Sequence, residues 1–187
     1  MALFAAWFHE AEEAGVEVPE TMTLATADSD SAPSARMVLL KGADEDGFVF
    51  YSGYVSRKAG ELERNPRAAL VFYWRVLGKQ VRVEGHVERV SEAESRAYFA
   101  TRPRGSQLAA WASQQSKPLA GREELDRRYA ELDREYHGRD VPLPPHWGGF
   151  RLRPDAIEFW QHRDNRLHDR IRYTRAREGW RSEWLSP

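Results

Sequence analysis

Segments with strand periodicity form two groups in this sequence, one before and one after a stretch of helical patterns. In the first group, residues 79–87 (KQVRVEGHV) alternate between apolar and polar side chains, and residues 68–74 (AALVFYW) form a continuous apolar run that predicts a strand covered on both faces. Further strands are predicted at 21–28, 35–41 and 47–52, and near 149–153, 156–161, 168–174 and 179–184. Because strands and helices do not alternate, this order disfavours a doubly wound sheet. It predicts an α+β, mainly β fold, an antiparallel β-barrel with helices packed outside.

Five segments carry helical patterns. The helix predicted over 3–14 stops at Gly15, and the one over 56–65 has Ser56 as its N-cap. Ser91 and Glu94 form a capping-box pattern that opens a helix to about residue 101, and further helices are predicted over 105–116 and 122–137. Residues 35–41 and 47–52 flank an acidic turn, which predicts a β-hairpin. No repeat or linker interrupts the chain, so we expect a single domain over 1–187.

The composition excludes several classes of site. No cysteine is present, which rules out disulfides, thiolate metal ligands and a cysteine nucleophile. The 28 basic and 29 acidic residues give a net charge of −1, whereas a nucleic-acid binder usually has a basic excess, so we expect no nucleic-acid partner. No apolar run approaches the ~20 residues that cross a membrane, and residues 1–15 lack a signal-peptide pattern. We therefore expect a cytoplasmic protein without membrane contact. Dinucleotide, P-loop and serine-hydrolase motifs are also missing.

The segment 160–173 (WQHRDNRLHDRIRY) concentrates four arginines and two histidines in a chain whose charges otherwise nearly cancel. On a strand, Arg166, His168 and Arg170 would point to one side. The arginines would repel a metal ion and no paired carboxylates stand beside His168, so we expect no metal site. A flat anionic ligand fits better, because arginine both stacks on rings and pairs with phosphate. An exposed cationic strand is the alternative.

A second cationic group lies at the start of a predicted helix. Arg57 and Lys58 follow Ser56 in its first turn, where positive charge is unfavourable unless an anion binds. Free backbone N–H groups, a hydroxyl and two cations together predict a phosphate cradle. The alternative is that both side chains point into water.

Two further pairs have weaker patterns. Tyr98 and Arg102 share a helix face and, with Ser106, suit a phosphate monoester, although a tyrosine packed on an arginine stem is the alternative. Arg36 and Lys41 bracket an apolar strand, but their opposite parity would not point both to one face of a regular strand.

The segment 157–170 (IEFWQHRDNRLHDR) resembles the C-terminal signature of the pyridoxine/pyridoxamine 5′-phosphate oxidase family, with Glu158, Trp160 and Arg166 to Arg170 at that family's spacing. Other blocks are similar to the family in the same order: RMVLLK, FYSGYVSRKA, KQV, YFATRPRGSQLAAWAS, QQS and VPLPPHWGGF. The resemblance runs from about residue 20 to the end. It implies a homodimeric FMN-binding split β-barrel, with FMN in clefts at the dimer interface. Such enzymes oxidise pyridoxamine or pyridoxine 5′-phosphate with O2, releasing pyridoxal 5′-phosphate and H2O2.

The resemblance also implies roles for individual residues. Those facing the FMN phosphate would be Arg36, Arg57 and Lys58. The flavin would be lined by the backbone of Val38 and Leu39 and by Tyr51, Ser52 and Gln80, with the partner subunit supplying Gln115, Ser116, Trp160 and Arg170. The substrate phosphate would be held by Lys41, Tyr98, Arg102 and Ser106. Of the two catalytic residues, Arg166 would stack on and orient the pyridine ring, and His168 would hydrogen-bond near the reacting carbon.

One missing segment and two residues depart from the family pattern. Family members usually carry an N-terminal Arg–Tyr segment that covers the substrate, whereas this sequence starts almost at its first helix, so we expect this cover to be absent or removed. Lys79 replaces a common arginine, and Trp184 replaces the arginine that usually precedes Leu-x-Pro. Neither is an implied site residue.

Two other functions would keep a similar fold. A phenazine-pathway oxidase would use FMN, but its substrate would not need the phosphate-binding group of Tyr98, Arg102 and Ser106. A non-catalytic carrier of flavin or pyridoxal phosphate would not need the Arg166–His168 pair. Turnover under oxygen separates the carrier from the enzymes.

Overall fold

A computed structural model describes all of residues 1–187. The five helices are Ala2–Glu13 (α1), Arg57–Arg64 (α2), Glu92–Thr101 (α3), Arg104–Ala112 (α4) and Arg122–Glu135 (α5). The nine strands are Thr21–Ala27 (β1), Pro33–Leu39 (β2), Gly42–Asp44 (β3), Gly47–Gly53 (β4), Arg67–Trp74 (β5), Lys79–Arg89 (β6), Trp147–Gln161 (β7), Asp169–Arg175 (β8) and Trp180–Trp184 (β9). None of the helices combines the length and apolarity that a membrane span requires.

All nine strands belong to one antiparallel sheet, in the order β2-β1-β5-β6-β7-β4-β3. Strand β8 also pairs with β7, and β9 pairs with β8. The sheet curls into a half-barrel with the helices outside, which confirms the mainly β fold predicted from the order of the patterns.

Aromatic side chains fill the inside of this curled sheet. Phe48, Phe72 and Trp74 are almost fully buried there, and Phe4 of α1 packs its ring 4.9 Å from Phe48 and 5.1 Å from Phe72. Burial of one such ring stabilises the fold by about 2 kcal/mol. Helix α1 therefore closes the open side of the core.

The prediction that residues 35–41 and 47–52 pair as a β-hairpin is wrong. Strand β2 pairs with β1, and only the short β3 forms a hairpin with β4. The chain leaves β2 after Leu39: the N–H of Leu40 donates to the carbonyl of Glu20, and the N–H of Lys41 donates to that of Val49. The residues after β2 thus change partner, and a sequence period alone does not reveal that change.

Strand β7 is continuous over 15 residues, where two strands were predicted. Pro154 lies inside it without an N–H to donate. Opposite Pro154 stands Gly85 of β6, where the register shifts, and a Cβ at that glycine would overlap the backbone of Arg153. This bulge lets the strand continue past the proline. Its first half can then pair with β4 and its second half with β8.

The prediction that residues 68–74 are covered on both faces is wrong for the single chain. Leu70, Phe72 and Trp74 point into the core, but Tyr73 on the opposite face is 56% exposed. Met37, on the same outer surface, is 60% exposed. The outer face of the sheet therefore presents large apolar side chains to its surroundings.

Candidate functional site

A cleft of about 730 Å³ opens between β2, β4, the start of α2 and the segment after α4. Twelve of the predicted site residues line it: Arg36, Val38, Leu39, Lys41, Tyr51, Ser52, Arg57, Lys58, Tyr98, Arg102, Gln115 and Ser116. Arg36 and Lys41 reach one cleft despite their opposite parity, because the strand ends between them. His146 and Trp147 also line the cleft. They were not predicted as site residues, although they lie in the block VPLPPHWGGF, which resembles the family.

One end of the cleft is cationic. Helix α2 begins at Arg57, and the hydroxyl of its N-cap Ser56 accepts a hydrogen bond from the N–H of Ala59, as predicted. Lys58 is only 6% exposed, and its Nζ donates to Ser52 Oγ at 3.0 Å and to Ser56 Oγ at 3.3 Å without pairing with a carboxylate. Burial, with the nearby Arg36 charge, lowers the pKa of Lys58 to about 8. The alternative that this lysine points into water is therefore wrong.

Behind this cationic end lies Glu61, which the sequence analysis did not single out. It is 4% exposed, and its carboxylate accepts hydrogen bonds from Arg57 Nε at 2.7 Å and Arg36 Nη2 at 3.2 Å. Thr26 and Ser34 donate to the same carboxylate. Burial alone would raise the pKa of Glu61, but these donors outweigh it and hold the pKa at about 2.

Gln115 forms one wall of the cleft from within the same chain. Its Oε1 accepts from Ser52 Oγ at 2.9 Å and from the N–H of Gly53 at 3.0 Å. We expected Gln115 and Ser116 to come from the partner subunit and to lie in a helix. The helix prediction is wrong, because α4 ends at Ala112 and a turn after it brings Gln115 of the same chain against β4.

Stacked aromatic rings line the cleft next to Arg102. Tyr51 and Tyr98 lie 3.9 Å apart and nearly parallel, and Trp147 stacks 5.5 Å from Tyr51. Burial raises the pKa of Tyr51 to about 12, so its phenol stays protonated. Arg102 lies 4.6 Å from the Trp147 ring, and its Nη1 is buried without a hydrogen-bond partner. A half-buried guanidinium with one buried, unused donor is suited to an anion.

The remaining predicted contact of this group, Ser106, does not line the cleft. It lies in the first turn of α4, where its N–H donates to the carbonyl of Pro103 at 2.8 Å. Its role with the substrate phosphate stays a prediction. Lys41, which does line the cleft, also pairs with Glu20 at 3.6 Å.

A second cluster lies on the outer face of the sheet, outside the lining of the cleft. Gln80, Trp160 and Arg170 stand directly opposite one another on β6, β7 and β8, so their side chains share a face. Arg170 Nε donates to Glu158 Oε1 at 2.9 Å, and Arg82 pairs with the other oxygen of this buried carboxylate. The register thus places Gln80 with the two residues expected from the partner subunit.

Arg166 and His168 lie in a loop rather than on a strand, so the predicted alternation through Arg170 is wrong. Strand β8 begins only at Asp169, and Arg166 adopts a positive φ of 62° in the turn before it. The ring of His168 nevertheless lies 4.5 Å from that of Trp160. Its Nδ1 accepts from the N–H of Arg163 at 3.1 Å, which leaves the Nε2 proton of the neutral ring free to donate. His162, whose ring is 5.2 Å away, was not predicted.

Two family models match almost the whole chain. One, described as pyridoxamine 5′-phosphate oxidase, matches residues 8–134. The other, described as the pyridoxine 5′-phosphate oxidase C-terminal dimerisation region, matches residues 147–187.

Curated relatives match over nearly the full length. A pyridoxine/pyridoxamine 5′-phosphate oxidase from Rubrobacter xylanophilus is 62% identical over 184 residues, which cover 98% of this chain and 85% of the relative. Proteins of the same name from Acaryochloris marina and Myxococcus xanthus are 53% and 55% identical, covering 98% of this chain and 84% and 89% of theirs.

Solved structures share the fold. PhzG from Burkholderia lata, in complex with tetrahydrophenazine-1-carboxylic acid, superposes with a TM-score of 0.95 at 34% identity, covering 100% of this chain and 91% of its own. A pyridoxamine 5′-phosphate oxidase-related, FMN binding protein from Nostoc punctiforme gives a TM-score of 0.79 at 18% identity, with 100% and 96% covered. These neighbours confirm the split-barrel fold.

Proposed function

Because the chain belongs to the pyridoxine/pyridoxamine 5′-phosphate oxidase family and is an oxidoreductase of that kind, we propose that it uses FMN to oxidise pyridoxamine or pyridoxine 5′-phosphate. In this reaction the substrate loses two electrons and two protons, and O2 takes them up to form H2O2. The alcohol gives pyridoxal 5′-phosphate directly, and the amine gives it with one water consumed and ammonia released. FMN supplies the redox chemistry, and the protein supplies placement and charge.

The observation that carries this proposal is that two cationic groups without carboxylate partners, one at Lys58 and one at Arg102, line the same cleft. Lys58 is buried and makes no ion pair with a carboxylate, and Arg102 keeps a buried donor unused. An enzyme that binds two phosphorylated aromatic molecules side by side needs two such cationic groups.

The residues around Lys58, together with the adjacent lining of the cleft, fit FMN. Lys58, Arg36 and Arg57 would hold its phosphate at the start of α2, where backbone N–H groups add to the positive charge. Tyr51, Ser52 and the Val38–Leu39 backbone would line the flavin, with Gln115 and Ser116 beside them.

The residues around Arg102 fit the phosphate of the B6 substrate. Arg102 and Lys41 supply positive charge, and Tyr98 supplies a hydroxyl. Burial raises the pKa of Tyr98, so its hydroxyl keeps its proton to donate. Stacking on Trp147 holds the Arg102 guanidinium in place before the substrate arrives.

A second copy of the chain would complete the site. Gln80, Trp160 and Arg170, with the Arg166–His168 loop beside them, lie outside the lining of their own chain's cleft. They belong to the sheet face on which Met37 and Tyr73 are exposed, and residues 147–187 match a dimerisation region. A homodimer that buries this face would bring the cluster of one subunit to the cleft of the other. Arg166 and His168 would then contact the pyridine ring.

The proposed oxidase activity is tested by measuring both of its products in one assay. The protein is saturated with FMN, pyridoxamine 5′-phosphate is added under air, and pyridoxal 5′-phosphate and H2O2 are measured together. The proposed function predicts equal amounts of both. If flavin binds and neither product forms, a carrier role takes its place.

Similarity to PhzG supports a second candidate, an FMN oxidase acting on phenazine precursors. The same assay with tetrahydrophenazine-1-carboxylic acid distinguishes the two. Because the buried Nη1 of Arg102 would have no phosphate to bind in that case, we expect slower turnover of the phenazine compound than of pyridoxamine 5′-phosphate.

A further inference from the structure

Arg36 and Arg57, proposed to face the FMN phosphate, are tied to one buried carboxylate behind the cleft. Glu61 accepts from Arg57 through Oε1 and from Arg36 through Oε2. The carboxylate itself does not line the cleft, whereas both arginines do. Glu61 is thus placed to act on a bound phosphate only through its neighbours.

The two arginines depend on Glu61 to different degrees. Arg36 Nη1 also donates to the carbonyl of Leu24 at 3.2 Å and to Thr26 Oγ1 at 2.5 Å, so its guanidinium has several anchors. Arg57 has a side chain that is 64% exposed, and the hydrogen bond to Glu61 is the one hydrogen bond that its head group makes. Without this bond, a long flexible side chain would lose its orientation.

Charge and position predict opposite effects of Glu61 on phosphate binding. A negative charge behind a phosphate site repels the phosphate, so removing it would tighten binding if charge alone decided. Arg36 and Arg57 already neutralise this charge at hydrogen-bond distance. The affinity for a phosphate therefore depends mainly on how the two guanidinium groups are oriented. Orientation should therefore outweigh repulsion.

We propose that Glu61 is a positioning residue for FMN, which holds Arg57 and Arg36 in the geometry that grips the cofactor's phosphate. The inference rests on the proposed FMN site. Glu61 touches neither the cofactor nor the substrate, and it would act on the phosphate without affecting the flavin ring.

Comparing FMN with riboflavin, which lacks the phosphate, isolates this effect. Dissociation constants of both flavins are measured by fluorescence quenching for wild type, Glu61→Gln and Glu61→Asp. We expect Glu61→Gln to weaken FMN binding by about tenfold, since the hydrogen bonds that residue 61 accepts from Arg57 and Arg36 lose the negative charge that strengthens them. Riboflavin binding should stay unchanged. Glu61→Asp keeps the charge but is shorter, so FMN binding should weaken here too.

Glu63→Gln is the matched control, because it removes an exposed negative charge from the same helix and should leave both flavins unaffected. In an Arg57→Ala background, Glu61→Gln should have a smaller effect on FMN binding, since Glu61 acts partly through Arg57. If Glu61→Gln does not fold, Glu61→Asp decides.

Three results would overturn the inference: tighter FMN binding in Glu61→Gln, an equal loss of both flavins, or unchanged FMN binding in the variants. Failure of the proposed FMN site gives a different result, because wild-type protein would then bind FMN no better than riboflavin, whereas failure of the oxidase reaction alone leaves these affinities unchanged.

Discussion

Replacing Lys58 by methionine should stabilise the protein without flavin and weaken its binding of FMN. The lysine is buried, and its only contacts with polar side chains are the hydroxyls of Ser52 and Ser56. Methionine has a similar length and no charge. The substitution therefore removes a buried cation with little change in shape.

The magnitude follows from the lowered pKa. A value of about 8 in place of 10.5 corresponds to about 3 kcal/mol of unfavourable free energy for the charged Lys58 at pH 7. Loss of its two hydrogen bonds offsets about 1 kcal/mol each. We expect Lys58→Met to raise the free energy of unfolding by about 1 kcal/mol. Its FMN dissociation constant should increase by about a hundredfold, because a buried charge-assisted contact with phosphate is gone.

The pH dependence has a definite sign. Between pH 8 and 10.5 the unfolded wild-type chain keeps a proton on Lys58 that the folded chain has released. The stability of wild type should therefore rise with pH relative to the variant, by at most about 1.4 kcal/mol per pH unit. Wild-type affinity for FMN should fall over the same range, since the cation that meets the phosphate is lost.

Urea unfolding of the flavin-free proteins from pH 7 to 10, together with FMN titration, measures both effects. Arg64→Met is the control, because it removes an exposed cation from the same helix. If the stability difference between wild type and Lys58→Met does not change with pH, the lowered pKa of the buried Lys58 is refuted. Unchanged FMN affinity would refute the phosphate contact.

Three further substitutions test other parts of the site. His168→Ala should keep the yellow flavin bound but slow turnover, as steady-state rates would show; a fully active variant would exclude the histidine from the reaction. Arg102→Ala should raise KM for pyridoxamine 5′-phosphate by about tenfold or more through loss of a charged contact, while FMN affinity stays unchanged; an unaltered KM would mean that the substrate phosphate binds elsewhere. Lys58→Met and Arg170→Ala chains, each weakly active alone, should regain activity when refolded together, since one of the two clefts in a mixed dimer has both residues intact. No gain on mixing would contradict the shared site.

Local signals in the sequence predicted much of the fold and one end of the cleft. The N-cap at Ser56 places Arg57 and Lys58 in the first turn of α2, and residues 79–87 show the alternation of a half-buried strand. Both follow from neighbouring residues, so periodicity and capping chemistry are sufficient to find them.

Features that depend on distant residues were not predictable in this way. The change of partner after Leu39 depends on hydrogen bonds to Glu20 and Val49. Glu61 looked like one of many helical carboxylates, and only the packing of α2 on the sheet buries it beside Arg36. The return of Gln115 to β4 joins residues 63 positions apart.

A single turnover without oxygen tests the central claim most directly, that one cleft holds FMN beside a phosphorylated B6 substrate and oxidises it. FMN-loaded protein is mixed anaerobically with pyridoxamine 5′-phosphate, and the visible absorbance of the flavin is followed with the pyridoxal 5′-phosphate formed. The account predicts complete bleaching with one product per flavin, and much slower bleaching with pyridoxamine, which lacks the phosphate. A flavin that stays oxidised, or one that is bleached equally fast by both compounds, would contradict it.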